Sequence, residues 1–420
     1  MRWLSYGILI VFLNLFQNDG ARAEAIALKF EDLPKLLQER NQTIQGTQLA
    51  VQAYEKRTGY LVRSYLPTLQ FDGGGEHFQT GSYPSRTEPY AFLETRLNLF
   101  RGGKDILEED VRQSQVKLTQ SQAQKTLIEE LTDARKTFWI LIFQREMIQI
   151  LKDAFKENDK NLVAAKRRIQ RGLTSDTDQL DFEINRDVLN EEIASLEHEV
   201  ELTQIKLRSF FSWSDEKLIQ TSNQIPHDHD EALLRTEIPA ESHPEVSWIK
   251  ANSRVALSQG SQAKRWWTPS VEVYAGYYLF TLRDRDYLDF ERRDDRVAGV
   301  RLSIPLFDGL QSKAIASSLA MQGDALEMQA KQKEKIIQAK FQIAKEEIKH
   351  HHELTHVAES RIVMGGRYLA KTLSEYDRGV KNSPDVMGAL QRQIAFRRRY
   401  AEIKRDYQLF KADLLGLLNR

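Results

Sequence analysis

The chain has no cysteine in its 420 residues. Disulfides, thiolate metal centres and a lipid-bearing N-terminal cysteine are therefore excluded. Past its first residues it also lacks any run of about 18 apolar residues, so no segment qualifies as a spanning helix. Entry into a membrane would then require a β-barrel, the other architecture that satisfies its own backbone groups in lipid. Net charge is missing too. Sixty basic residues balance 60 acidic ones, which gives no reason to expect nucleic acid as a partner. Between Lys104 and Arg171 there is neither glycine nor proline, so nothing in that stretch breaks a helix.

What is present begins with a basic Arg2, an apolar run from Ile8 to Phe16 and the small-residue site Ala21-Arg22-Ala23. Residues 1–23 read as a secretory signal peptide, with the mature chain starting near Glu24. The rest is 29% charged with a mean hydropathy of −0.52, which suits long amphipathic helices better than thick cores.

The remainder is a tandem repeat. Leu97-Asn98-Leu99-Phe100-Arg101-Gly102-Gly103 recurs as Ile304-Pro305-Leu306-Phe307-Asp308-Gly309-Leu310. Arg171-Gly172-Leu173 recurs as Arg378-Gly379-Val380, and Asp178 as Asp385, at the same offset. Between Gly102 and Gly172 the spacing is held without an insertion, as expected of one continuous helix packed on its neighbours. Leu127, Leu131, Ala134, Phe138 and Ile142 recur at three and four within it. At about 1.5 Å per residue such a helix is a rod of about 100 Å. The second rod, from Gln311 to Arg378, carries a Gly365-Gly366 pair where a bend is expected. Each rod ends at a glycine suited to a helix C-cap, followed by a new N-cap at Ser175 (with Asp178) or Ser383 (with Pro384).

Four segments alternate apolar and polar residues with period two, at about 68–78, 90–100, 270–280 and 296–306. Each has the length of a tilted membrane strand with one apolar face. Four strands cannot close a barrel with a lumen, so several chains must combine. The first repeat spans 24–225, with its helical hairpin at 104–212. A linker occupies 226–240 and includes His227-Asp228-His229. The second repeat spans 241–420, with its helical hairpin at 310–418. The polar stretches Thr80 to Pro89 and Thr281 to Asp295 read as exposed loops.

In order and spacing these motifs resemble the outer membrane efflux protein (TolC) family over essentially the whole mature chain. The carrying residues are Leu66-Pro67 and Trp267-Thr268-Pro269 before each hairpin, the Phe100 and Phe307 motifs after it, and the Gly172 and Gly379 turns. The resemblance implies a mainly α fold with a small membrane β-barrel, three chains of four strands closing the barrel and helices forming a periplasmic tunnel. It implies an exit duct of a tripartite efflux or type I secretion system in the outer membrane. Its partners would be outer-membrane lipid, a periplasmic adaptor and, through it, an inner-membrane pump. Arg171, Gly172, Leu173, Arg378, Gly379 and Val380 would be adaptor-contact positions. For the gate it implies that Tyr376 and Lys381 engage Asp178, with Asp385 one of two acidic positions in a constricting ring; the other position holds Gly388.

One motif points elsewhere. His352-Glu353-Leu354-Thr355-His356 is H-E-x-x-H, which on a helix presents two histidines to zinc with a glutamate as base. It falls mid-rod, and the longer metzincin pattern fails at Glu359 and Ile362. An enzyme is therefore not expected, nor a cofactor, since no phosphate loop or nucleophile elbow appears; no dedicated metal site is expected, and His350, His351, His352 and His356 read as a solvated or interface cluster or as adventitious metal binders. The competing reading is a structural periplasmic coiled-coil protein, for which four amphipathic strands would have no use.

Overall fold

In the computed structural model, residues 25–79, 86–172, 175–214, 218–226, 231–238, 240–279 and 294–419 are described. The expected signal peptide, Leu173, His227-Asp228-His229 and nearly all of the second loop lie outside them. The first part of the chain gives β1 (Ala25–Ala27), α1 (Leu33–Arg40), α2 (Gln42–Glu55), α3 (Tyr60–Arg63), β2 (Thr68–Phe78) and β3 (Arg86–Phe100). Then come α4 (Lys104–Gln170), α5 (Asp176–Phe210), β4 (Leu218–Gln220), α6 (Glu231–Arg235) and α7 (Pro244–Lys264). The remainder is β5 (Ser270–Leu279), β6 (Asp294–Ser303), α8 (Gln311–Asp377) and α9 (Ser383–Leu417).

Both rods are unbroken helices of 67 residues, and both return helices have 35. The Gly365-Gly366 pair does not interrupt α8. A Cβ at Gly365 would meet Gln393 Oε1 at 2.3 Å and the Phe396 ring at 2.7 Å, so this glycine admits α9. Two strand expectations shift. β3 starts at Arg86, taking in residues 86–89 that read as loop. β6 ends at Ser303, because Pro305 has no N–H to give a ladder.

The chain forms two compact units, each drawing on both halves of the sequence. One comprises Thr43–Glu129, Glu237–Gln342 and the end of the chain from Leu417. It holds a four-stranded antiparallel sheet in the order β2-β3-β5-β6. The register puts Leu69, Phe71, Leu93, Val273, Val300 and Leu302 on one face, and Gln70, Glu94, Arg96, Glu272 and Arg301 on the other. On the charged face, Arg96 bonds Glu94 and Arg301 lies 2.6 Å from Glu272. Below the sheet, Val246 of α7 packs with Ala330 and Ile337 of α8.

The other unit comprises the chain up to Gln42, Glu130–Thr236 and Ile343–Gly416. Its core stacks Met147, Ile150, Leu151 and Ala154 of α4 on Leu189 and Ile193 of α5 and on Leu390, Ile394 and Ala401 of α9. The N-terminal arm is tied to this unit. β1 pairs in parallel with β4, and Phe30 stacks on Trp139 at 5.2 Å. A buried Lys404 anchors the start of the linker: its Nζ donates to Glu146 Oε1 at 2.7 Å and to Ile225 O at 3.2 Å. Glu146 Oε2 accepts from Ile225 N at 3.0 Å, closing the ring.

Candidate functional site

The two helical turns carry the expected site residues. At the second turn, Gly379 has φ +78°, the left-handed conformation that glycine adopts without a Cβ clash. Gly379 N donates to Tyr376 O and Val380 N to Glu375 O, both at 2.9 Å, which together form a Schellman cap. Gly172 has φ +69° and its N–H reaches Ile169 O at 2.9 Å. Arg171, Gly172, Arg378 and Gly379 are exposed, and Val380 is 70% exposed.

Ser175 is the N-cap of α5, as expected. Ser175 makes no side-chain cap bond, and its hydroxyl meets Thr177 instead. In the second repeat the cap is Asn382, one residue earlier than expected: Asn382 Oδ1 accepts from Asp385 N and Asp385 Oδ2 accepts from Asn382 N. A box started at Ser383 would need an acceptor at Val386, which has none; the Asn382–Asp385 box leaves the Ser383 hydroxyl for another partner.

That hydroxyl goes to Asp178. Ser383 Oγ lies 2.8 Å from Asp178 Oδ1 and 2.7 Å from Asp181 Oδ2. It has one hydrogen to donate, which the two carboxylates share in a three-centre bond. Tyr376 Oη donates to Asp178 Oδ2 at 3.3 Å. Arg168 stacks its guanidinium 4.1 Å from the centre of the Tyr376 ring and donates to Tyr376 O. Tyr376, Phe182, Leu162, Ala165 and Val386 form the apolar floor of this cluster. Burial, reinforced by the negative charge of Asp178, pushes the Tyr376 phenol up to about 12, so it stays a donor at any physiological pH. Two turns along, Asn185 Nδ2 donates to Asn158 Oδ1 and Asn158 Nδ2 to Phe182 O, a buried polar pair joining α4 to α5.

The structure thus brings Tyr376 and Asp178 together as the sequence implied, but not Lys381. Lys381 Nζ pairs with Asp385 Oδ1 at 3.4 Å, one turn along its own chain. Asp385, four residues along the same chain, is the carboxylate the lysine reaches. Arg168, Asp181, Ser383 and Asn158 were not anticipated. The two asparagines left a signal, since each interrupts an apolar stripe at a buried position; Arg168 left none.

The H-E-x-x-H motif does lie on a helix, in α8, with the His352 and His356 rings 5.2 Å apart. His351 turns into the α8–α9 contact, 5.5 Å from Phe410. Among the described residues no group of three His, Cys, Asp or Glu side chains is placed to hold a metal ion, and no helix is long and apolar enough to cross a membrane.

No protein-family model matches the chain, and no curated protein matches it by sequence. Solved structures do match. The CmeC outer membrane channel of Campylobacter jejuni superposes with a TM-score of 0.77 at 13% identity, over 93% of this chain and 85% of that one. The outer membrane protein VceC of Vibrio cholerae gives 0.76 at 12% identity, over 93% and 96%. The MtrE outer membrane channel of Neisseria gonorrhoeae, in its open state, gives 0.71 at 12%, over 93% and 88%. With the paired long helices, the strand order and the glycine turns in place, the chain has the TolC-type fold of bacterial outer-membrane channels.

Proposed function

We propose that the protein is one third of an outer-membrane duct, a passive exit channel for a tripartite efflux or type I secretion system. The observation that carries this reading is the sheet. β2 and β6 each have one neighbour, so both edges present unpaired backbone groups. One face is apolar and uncovered, with Leu69 71%, Phe71 68%, Val300 67% and Leu302 61% exposed. In water such a sheet is an aggregation template; in lipid it is stable only when its edges close on other copies. Edge pairing between three copies gives a barrel with lipid outside and the Glu94, Arg96, Glu272 and Arg301 face inside. Trp267, 58% exposed, lies just before β5, where an aromatic ring anchors at the membrane–water interface.

The helical hairpins then belong to the periplasm, and the exposed Arg171, Gly172, Arg378, Gly379 and Val380, with Leu173 next to them in sequence, are the positions offered to an adaptor. The Asp178–Tyr376–Ser383 cluster, with Lys381 and Asp385 beside it, holds the two turns of one chain together and is the natural latch of a closed mouth. No step of this function is chemical; H-E-x-x-H is part of a packing rod. The test is to extract the protein from outer membranes in detergent, measure its mass by light scattering and reconstitute it in planar bilayers. A trimer with discrete conductance steps is expected. A soluble monomer that opens no channel overturns the reading.

A further inference from the structure

The charged face of the sheet carries a second, unexpected pattern. Gly74 sits directly opposite Tyr90, and Gly299 directly opposite Tyr274. A Cβ on Gly74 would meet Tyr90 Oη at 2.9 Å and its ring carbons at 3.0 Å. On Gly299 it would meet Tyr274 Oη at 2.9 Å and Cζ at 3.0 Å. Gly276 repeats the arrangement within one strand, since its Cβ would meet Tyr278 Cε2 at 2.8 Å. Side chains on a strand normally stand roughly perpendicular to the sheet. These three rings instead lie down across the space that glycine leaves empty.

The rings are also held there. Arg301 places its guanidinium 4.7 Å from the centre of the Tyr274 ring while bound to Glu272 at 2.6 Å, so Tyr274 lies between the Gly299 backbone and a fixed cation. Tyr278 Oη donates to Glu94 Oε2 at 3.5 Å, and its ring lies 5.5 Å from Phe92, which stacks in turn on Tyr90 at 6.3 Å.

We infer that Gly74, Gly276 and Gly299 set the clearance of the barrel section of the duct: by letting three tyrosines per chain lie flat, they fix the largest solute that passes from outside through the barrel. The inference rests on the reading of this face as a lumen. Adding a methyl at any of the three glycines forces the ring off the sheet and into the passage. Covering a strand glycine with an aromatic ring also stabilises a sheet. That role alone alters folding, not the size of what passes.

The absence of cysteine supplies a clean reporter. Ser303→Cys places one thiol on the same face at the inner end of β6. Maleimide–polyethylene glycol reagents of graded size, added outside intact cells, then measure the largest one that reaches it. Gly74→Ala and Gly299→Ala should slow labelling by the larger reagents while leaving the smallest unaffected. Adding Tyr90→Ala or Tyr274→Ala, respectively, should restore access. On the parent background Tyr274→Ala alone should raise the size limit or leave it unchanged, never lower it. A size limit identical in parent and glycine variants, with trimers intact, overturns the inference and leaves the duct standing. A thiol that no reagent reaches from outside overturns the duct reading, and the inference with it.

Discussion

Ser383→Ala should open the mouth more than Tyr376→Phe, and the difference follows from bond lengths. Asp178 is 6% exposed and accepts from both hydroxyls. Ser383 shares its one hydrogen between Asp178 at 2.8 Å and Asp181 at 2.7 Å, both charged acceptors; losing that hydroxyl costs about 2 kcal/mol. The bond from Tyr376 is 3.3 Å, so its loss costs about 1 kcal/mol, and phenylalanine keeps the ring contacts with Phe182 and Arg168. If three copies move together, Ser383→Ala shifts the closed–open balance by about 6 kcal/mol, past the roughly 5.5 kcal/mol that carries a two-state equilibrium from 1:99 to 99:1. Tyr376→Phe shifts it by about 3 kcal/mol, which leaves a mixed population. Single-channel recording at neutral pH reads the difference as open probability and mean conductance, with trimer mass as the control. Asp178→Ala should add little to Ser383→Ala, because both remove the same bond. A larger effect from Tyr376→Phe, or fully additive effects, would refute the placement of the latch at Ser383.

Three further outcomes follow from the same structure. Lys404→Met leaves Glu146 buried without its cation and should cost about 3–5 kcal/mol, read as a lower urea midpoint and as faster proteolysis beside Ile225. His243 caps α7, accepting from Glu245 N at 3.3 Å, and burial holds its pKa below the ordinary value, with Lys333 and Lys340 acting in the same direction. Because the folded pKa is depressed, stability is level above about pH 6.5 and falls as pH drops from there through the folded value. His243→Asn, which keeps the cap, should flatten that dependence in melting curves between pH 8 and pH 5. Glu353→Gln should leave export and assembly unchanged in a substrate-efflux assay, since the motif lies midway along the continuous helix α8.

The repeat made much of this fold legible. A constant offset between glycine motifs announces two equal rods, and helices without glycine or proline can be read end to end. Strand ends were less legible: the alternation through Ile304-Pro305-Leu306 mimics a strand, and only the missing proline N–H says otherwise. The arm at β1 escaped because three residues carry no period, and its partner Leu218–Gln220 is equally short. At the turns, the pairing of Tyr376 with Asp178 was implied by the family resemblance through their positions relative to the glycines. The choice of Asn382 over Ser383 as cap was not, because both residues suit the role and only the path of the chain decides. The partner of Lys381 was not legible for a related reason: charge type survives in a sequence, whereas the distance to Asp385 appears only in three dimensions.

The central claim is that separate copies close the sheet through β2 and β6, and the cysteine-free chain allows this to be tested directly. Cysteines placed pairwise at Leu69, Gln70 or Phe71 on β2 and at Val300, Arg301 or Leu302 on β6 sample the registers across that seam. A disulfide needs Cβ atoms within about 3.5–4.5 Å, so only a correctly opposed pair will form one. On a non-reducing gel at least one pair should give covalent trimers, while every single-cysteine control stays free of trimer. Double-cysteine variants that fold into membranes yet never link beyond a monomer in any register would contradict the account.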